Sequence, residues 1–280
     1  MNVVQFSVEP LLRVAQAFPA TPRIMAEVGR LLREPNVNLA DITAQLKHDR
    51  ALATRLLRVA NSAAFAQSEH VASIDAAAVL IGLREMHRIV GAVAVDQFSL
   101  CNYPLYGFAG RRLRENALLV ALLMEEFAAP AGQDPQVGYT TGLFRSLGKL
   151  ALEKLAAEAE PIATFQADRD ADLLQWEKHS LGITANEATA IILQQWHFPR
   201  EIARAIAEHF QPESGSHLLA HLLNFAAGTA DRLGYGLPGE KRYWLETEEA
   251  GRNAGADSRD RERHVERAFA EFDRLSRTIG

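Results

Sequence analysis

Nine histidines and a single cysteine, Cys101, are the residues of this 280-residue chain best suited to holding a metal. His217 and His221 lie four apart in a helical stretch, which puts two imidazoles on one face and suits a divalent cation. A metal site needs three or four ligands and no carboxylate motif joins the pair, so both rings are read as surface or packing groups. One thiol forms no intramolecular disulfide, and a cysteine cage for zinc would need other ligand types. The sequence has no Gly-x-x-x-x-Gly-Lys-Ser/Thr loop, no Gly-x-Gly-x-x-Gly turn, no His-Glu-x-x-His pair and no Gly-x-Ser-x-Gly elbow. Arg145 and Lys149, four apart, share a helix face. Two cations side by side bind an oxyanion well. The competing role, preferred here, is a structural ion pair between Arg145 and an acid such as Glu115 or Glu187.

The elements that must position these residues read as helices. Thr21-Pro22 offers a capping hydroxyl before a proline, and Ile24, Val28, Leu31 and Leu32 then recur at helical spacing until Pro35. Asn38 caps a helix with Ile42 and Leu46 on one face, and Asp49 caps the next, with Leu52, Leu56, Leu57 and Ala60 as its stripe. Ser73 caps a helix that ends near Gly82, and 83–98, 111–128 and 136–157 are further helical stretches. Thr184-Ala-Asn-Glu187 is a capping box opening 187–196, Pro199 starts 201–209, and 216–233 stops at Gly234 and Gly236. No alternating strand pattern interrupts them, so the expected class is all-α. Beyond Pro238 the composition turns to charge, Gly, Asn and Ser, the pattern of a solvated loop. Val265, Ala268, Phe269, Phe272, Leu275 and Ile279 then recur at helical spacing, an amphipathic face expected to pack on its own chain.

Composition narrows the function classes. The chain is 48% hydrophobic and 23% charged, ordinary for a globular protein. At roughly 150 residues per domain its length allows about two domains or one large one. Thirty basic against 35 acidic residues give a net charge of −5, a poor field for non-specific nucleic-acid binding. No basic segment followed by an apolar run opens the chain. The longest apolar stretches, 89–95 and 118–124, fall short of the roughly 20 residues that span a bilayer. A cytoplasmic protein without membrane or nucleic-acid partners is expected.

The most specific signal is a run of ordered patterns in the first hundred residues. Phe18-Pro-Ala-Thr-Pro opens it and Leu32-Arg-Glu-Pro-Asn-Val-Asn-Leu-Ala-Asp-Ile follows. Then come Asp49-Arg-Ala-Leu-Ala-Thr-Arg-Leu-Leu-Arg-Val-Ala-Asn-Ser-Ala-Ala-Phe and Ile74-Asp-Ala-Ala-Ala-Val-Leu-Ile-Gly-Leu-Arg-Glu. Glu177-Lys-His-Ser-Leu-Gly, Leu193-Gln-Gln-Trp-His-Phe-Pro-Arg-Glu-Ile and Ile206-Ala-Glu-His continue it. Together they resemble the HDOD domain, the HD-related output domain of bacterial signalling proteins. The resemblance covers residues 15–236 and implies a multi-helical HD-related bundle of two lobes, about 15–104 and 105–236. Outside it lie an N-terminal extension (1–14), the charged linker (237–264) and the C-terminal helix (265–280).

The motif residues also have a plain physical reading. Asp49 is an N-cap; Arg55 and Arg58, three apart, are neighbours on a helix surface; Asn61 and Ser62 sit where that helix ends and can bond free backbone groups. Phe65 closes the motif, and Gly82 marks a tight turn between two helices. Each is structural or a partner contact, and the capping chemistry favours structure.

The resemblance brings a second comparison. HD phosphohydrolases, related to HDOD domains, hold one or two metal ions with His and Asp ligands, and the metal supplies a hydroxide that attacks phosphate. Their His-Asp doublet before Ile-Gly-Lys corresponds here to Arg145-Ser146 in Leu143-Phe-Arg-Ser-Leu-Gly-Lys149. Arginine has no lone pair to offer a cation, and serine is a poor ligand. The upstream His falls near Asn116, the later one near Ala185, the His-His pair survives only as His209-Phe210, and the late Asp falls near Ala227. The resemblance therefore implies no metal, no cofactor and no catalytic residue. It implies a degenerate pocket of Asn116, Arg145, Ser146, Lys149, Ala185 and His209, and a non-catalytic regulatory module acting through contacts with signalling proteins not named by the sequence. The alternatives are a nucleotide- or anion-sensing receptor using the cationic pocket, or a metal-dependent phosphodiesterase or phosphohydrolase. No receiver, GGDEF, EAL or kinase pattern occupies the remaining residues, so the signal is expected to arrive through a separate protein, by expression level or through a small ligand.

Overall fold

Side-chain caps set where several helices begin. Asn38, Asp49, Ser73, Asp134, Asp172 and Thr184 each accept a backbone N–H of the first turn that follows. At Thr184 the reciprocal bond from its own N–H to Glu187 completes the capping box. The computed structural model describes residues 5–34, 36–62, 65, 70–159, 161–169, 172–213, 215–245 and 258–279. Pro35 lies outside them. Among the described residues there is no strand, and no helix is long and apolar enough to cross a membrane.

The chain divides into two compact units. The smaller comprises Pro19–Gln97 and Phe269–Gly280. Its helices are α2 (Thr21–Leu32), α3 (Leu39–Lys47), α4 (Arg50–Ala60), α5 (Ile74–Ile81) and α6 (Leu83–Asp96). α2 packs on α3 and α6, and α4 on α5 and α6, burying Met25, Ile42, Leu52, Leu56, Met86 and Ile89. The Thr21 hydroxyl does not cap α2 as its place before Pro22 predicts: Ala20 is the N-cap residue, and Thr21 donates to Asp49 Oδ2 at 3.1 Å. Gly82, at φ +83°, turns α5 into α6 in a conformation open to glycine without strain.

The larger unit comprises Met1–Phe18 and Phe98–Ala268. It begins with α1 (Val8–Gln16), which buries Leu11, Val14 and Ala15 against α9 and α11, so part of the expected extension at 1–14 is a packed helix. α7 (Gly110–Ala128) is sealed from Leu118 to Met124, and α8 (Pro135–Phe144) lies close along it. The glycine spacing permits that approach: a Cβ on Gly142 would fall 2.7 Å from Ala121 Cα. The stretch 136–157, expected to be continuous, breaks at Arg145-Ser146 into α8 and α9 (Leu147–Glu158). α10 (Leu173–Leu181), α11 (Ala185–Gln195), α12 (Arg200–Glu208) and α13 (Leu218–Ala230) follow. A π turn at Asp231–Tyr235 replaces the expected end of α13 at 233.

The expected solvated linker also differs. From Leu237 to Leu245 the chain is a strap containing a 3-10 turn, with Leu237, Glu240, Tyr243 and Trp244 buried. Its two aromatic rings and one leucine supply enough apolar surface to dock it, although the stretch as a whole is polar. The rest of 246–257 lies outside the described residues. The last helix, α14, runs Ser258–Ile279, longer than the expected 265–280 helix at its start.

Candidate functional site

The break between α8 and α9 turns Arg145 inward. Its Nη2 donates to Asn116 Oδ1 on α7 at 2.6 Å and to Glu240 Oε2 on the strap at 2.8 Å. Lys149, in the first turn of α9, has its Nζ 3.4 Å from Glu240 Oε1 and 3.8 Å from Glu177 Oε1 on α10. Glu177 accepts from the Tyr106 hydroxyl at 3.0 Å and from the Ala185 N–H at 2.9 Å. Aromatic rings close both ends: the Arg145 guanidinium lies 5.5 Å from the Trp244 ring centre, the Lys149 ammonium 4.5 Å from that of Tyr106. The Asn116 amide also donates from Nδ2 to Tyr235 O at 2.7 Å, which ties α7 to the π turn.

Two cations and two carboxylates are thus held together away from water. None of Asn116, Arg145, Lys149, Glu177, His209 and Glu240 is more than 2% exposed. Burial opposes ionisation of Glu240, but Arg145 and Lys149 outweigh it and hold that carboxyl below its ordinary value. For Glu177 burial wins over Lys149, and its carboxyl is raised. His209 is pushed down to about 3, chiefly by burial and then by Arg145. Its Nδ1 bonds Ile206 O at 2.7 Å, and its ring stacks on Phe210 with centroids 4.2 Å apart.

The residues do not fit a divalent cation. The doublet position holds a guanidinium already committed to Asn116 and Glu240, and a metal beside it would meet repulsion. Among the described residues no three His, Cys, Asp or Glu side chains are grouped to hold a metal. His217 is the N-cap of α13, accepting from Leu219 N–H, and His221 Nε2 bonds Glu213 O at 3.0 Å.

Of the six residues expected to line the pocket, Arg145, Lys149, Asn116 and His209 gather around the cluster. Ala185 contributes its backbone N–H to Glu177. Ser146 is buried with no hydrogen-bond partner for its hydroxyl. Arg145 pairs with neither Glu115 nor Glu187: Glu115 is held by Arg111, and Glu187 by Lys178 and the cap of α11. The acid it meets is Glu240, 95 residues away. Sequence reasoning missed Glu240, Glu177, Tyr106 and Trp244 as site residues. The one local signal for the strap was the Tyr243-Trp244 pair within a polar stretch.

Of the motif residues in the smaller unit, Asp49, Arg55 and Asn61 make bonds within that unit. Asp49 accepts from the N–H groups of Ala51 and Leu52. Arg55 reaches Asp96 at 2.7 Å, and Arg58 is exposed. Asn61 donates to Leu57 O and Val71 O and accepts from Val71 N–H, tying the end of α4 to the chain entering α5. The Ser62 hydroxyl has no hydrogen-bond partner, and the Arg274 guanidinium lies 5.2 Å from the Phe65 ring centre.

A sequence model of the HDOD domain matches residues 18–212. An uncharacterized protein of Treponema pallidum (strain Nichols) is 24% identical over 194 residues, 68% of this chain, which spans 37% of that relative's length. Three crystal structures share the fold. An HDOD domain protein of unknown function from Geobacter sulfurreducens has a TM-score of 0.66 at 19% identity, covering 98% of each chain. A Shewanella amazonensis protein provisionally named a phosphohydrolase has a TM-score of 0.65 at 23% identity, covering 97% of this chain and 98% of its own. A Marinobacter aquaeolei protein provisionally named a signal transduction protein has a TM-score of 0.70 at 19% identity, covering 94% of this chain and 58% of its own.

Proposed function

The chain belongs to the HDOD domain family, and from that premise we propose that it is a non-catalytic regulatory module of bacterial cytoplasmic signalling, acting through contacts with other proteins. The observation that carries this reading is Arg145 at the position of the HD doublet, bonded to Asn116 and Glu240 and 2% exposed. A hydrolytic centre needs metal ligands and room for a phosphate and an attacking water. Here that volume is filled by the chain's own guanidinium, ammonium and carboxylates. The nucleotide- or anion-receptor reading is weaker for the same reason, since Glu240 already sits on both cations.

The test is metal analysis of the full chain after exposure to Mn2+, Fe2+ and Mg2+, with turnover assays on nucleotides and cyclic dinucleotides. The expected result is no stoichiometric metal and no turnover above the protein-free control. Metal bound one per chain, with turnover that chelation abolishes, overturns the reading. Affinity purification from the native cell with mass spectrometry then names the partner.

A further inference from the structure

We propose that the buried pair Arg145–Lys149 is an oxyanion site whose resident ligand is the chain's own Glu240 carboxylate, delivered by the strap from Leu237 to Leu245. Three observations carry it.

The first is how the carboxylate is shared. Glu240 Oε2 lies 2.8 Å from Arg145 Nη2 and Oε1 lies 3.4 Å from Lys149 Nζ, one oxygen to each cation. A free carboxylate bridging two cations would divide its oxygens in the same way.

The second is a surplus of donors. Arg145 Nε and Nη1 are buried and have no hydrogen-bond partner, and Glu240 Oε1 has none either. A guanidinium presents five N–H donors in a fork shaped for two oxygens of one anion. Tethered to the strap, Glu240 engages a single arm of that fork. The cation pair therefore offers more than its resident ligand uses, and a small untethered oxyanion can turn to take both arms.

The third is that the strap is anchored without Glu240. The Tyr243 hydroxyl donates to Asp172 Oδ1 at 2.5 Å and accepts from Leu174 N–H at 3.1 Å. Asn224 bonds Tyr243 O at 2.8 Å and accepts from Leu245 N–H at 2.9 Å. Trp244 rests on Gly228, where an added Cβ would fall 2.9 Å from its own Cβ. Gly239, at φ +79° and with Phe165 where a Cβ would go, makes the turn that presents Glu240. Truncating Glu240 to Ala thus leaves the strap docked and opens a space of carboxyl size beside Arg145 and Lys149, where the guanidinium has lost the one carboxylate it is bonded to.

The experiment compares the wild-type full chain, Glu240→Ala, and Glu240→Ala combined with Arg145→Met by thermal unfolding. Sodium formate or acetate is titrated against chloride at constant ionic strength. Glu240→Ala is expected to lose roughly 10 °C in Tm and to regain at least half of it, saturably, with formate or acetate. The wild type and the double variant are expected to show no such gain. Should Glu240→Ala not fold in chloride, refolding yield becomes the measure, and a yield restored by formate supports the site. The proposal is overturned if Glu240→Ala shows no formate- or acetate-dependent recovery in Tm or yield, or if the double variant recovers equally. None of these outcomes depends on the identity of a signalling partner, so this inference fails or stands apart from the proposed function.

Discussion

In the smaller unit Lys47 meets Asp75 at 2.7 Å with about half of each side chain in water (47% and 53% exposed). In the larger unit Arg145 meets Glu240 at 2.8 Å with 1% and 0% exposed. The distances are alike and the energetics are not. An exposed pair gains little because water screens it and two long side chains must be ordered. A buried pair has given up its hydration, so each member becomes indispensable to the other even where the pair as a whole adds nothing over apolar residues. The smaller unit, which carries the longest family motif, keeps its charged pairs Arg30–Glu34, Lys47–Asp75 and Arg55–Asp96 at least partly in water. The larger unit concentrates two cations and two carboxylates in a sealed cluster, where removing one member leaves its partner's charge buried and unpaired.

The largest expected effect tests that contrast directly. Arg145→Met should destabilise the larger unit by about 3–5 kcal/mol, because it leaves Glu240 buried without its main partner. Lys47→Met should cost ~0–1 kcal/mol. All three tryptophans, Trp176, Trp196 and Trp244, lie in the larger unit, so in urea unfolding tryptophan fluorescence reads Arg145→Met, while far-UV circular dichroism, which sees the helices of both units, reads Lys47→Met. Equal losses in the two variants would erase the distinction. The double variant Arg145→Met/Glu240→Met should cost less than the sum of its single changes, since the second substitution removes the charge that the first one orphaned.

Glycines sharpen the comparison at the next level. A Cβ on Gly148 would fall 1.9 Å from the carbonyl oxygen of Ala185, where α9 crosses α11 beside the cluster. Gly148→Ala should cost about 3 kcal/mol as α9 is forced away. Gly29, inside α2 of the smaller unit, would place its Cβ no closer than 3.7 Å to Arg33. Gly29→Ala should instead stabilise by ~0.5–1 kcal/mol through helix propensity. Urea midpoints of the two variants should move in opposite directions, and movement in the same direction contradicts this packing.

The pH dependence separates two groups of the larger unit that act against each other. His209, at about 3 in the folded chain against 6.5 free, stays neutral while the unfolded chain takes up a proton. Its contribution is present above pH 6.5 and is lost as pH falls towards 3, on the order of 2 kcal/mol between pH 7 and 5. Glu153, whose N–H partner is Leu105, is raised by burial to about 7 from 4.5. The folded state binds its proton first, so its contribution is full below 4.5 and lost as pH rises through 7. Between pH 7 and 5 the two slopes oppose. Glu153→Gln removes one of them, and stability should then fall more steeply with acid than in the wild type. An unchanged slope would show that Glu153 does not titrate there.

What was legible in the sequence follows the same division. Asn38, Asp49, Ser73 and Thr184 announce their helices because a cap is a bond to the next two or three residues, and that is local information. The break at Arg145-Ser146 carries no Gly or Pro and was invisible: the chain turns there because Arg145 is bonded to Asn116 and Glu240, neither of them near in sequence. α1 was missed because Ser7 makes no side-chain cap bond and the helix is only nine residues long. The strap was misread because average composition hides three well-placed residues, Glu240, Tyr243 and Trp244. The family was readable from local motifs, whereas the content of the buried cluster depended on a contact between residues 95 apart in sequence.

The smallest expected effect bears on the motif itself. Arg55 lies in the Asp49–Phe65 run and meets Asp96 across α4 and α6, the two side chains 34% and 17% exposed. That burial is intermediate between Lys47–Asp75 and Arg145–Glu240, so its coupling should be intermediate too. A double-mutant cycle with Arg55→Ala and Asp96→Ala should give ~0.5–1 kcal/mol in low salt. The coupling should shrink in 1 M NaCl, where the screening length falls to about 3 Å. Arg58→Ala, on the exposed face of the same helix, should leave stability unchanged within about 0.5 kcal/mol. A coupling near 0 for Arg55–Asp96 would mean that burial does not grade these pairs as argued, and it would free Arg55, with Arg58, to be read as a contact for a partner.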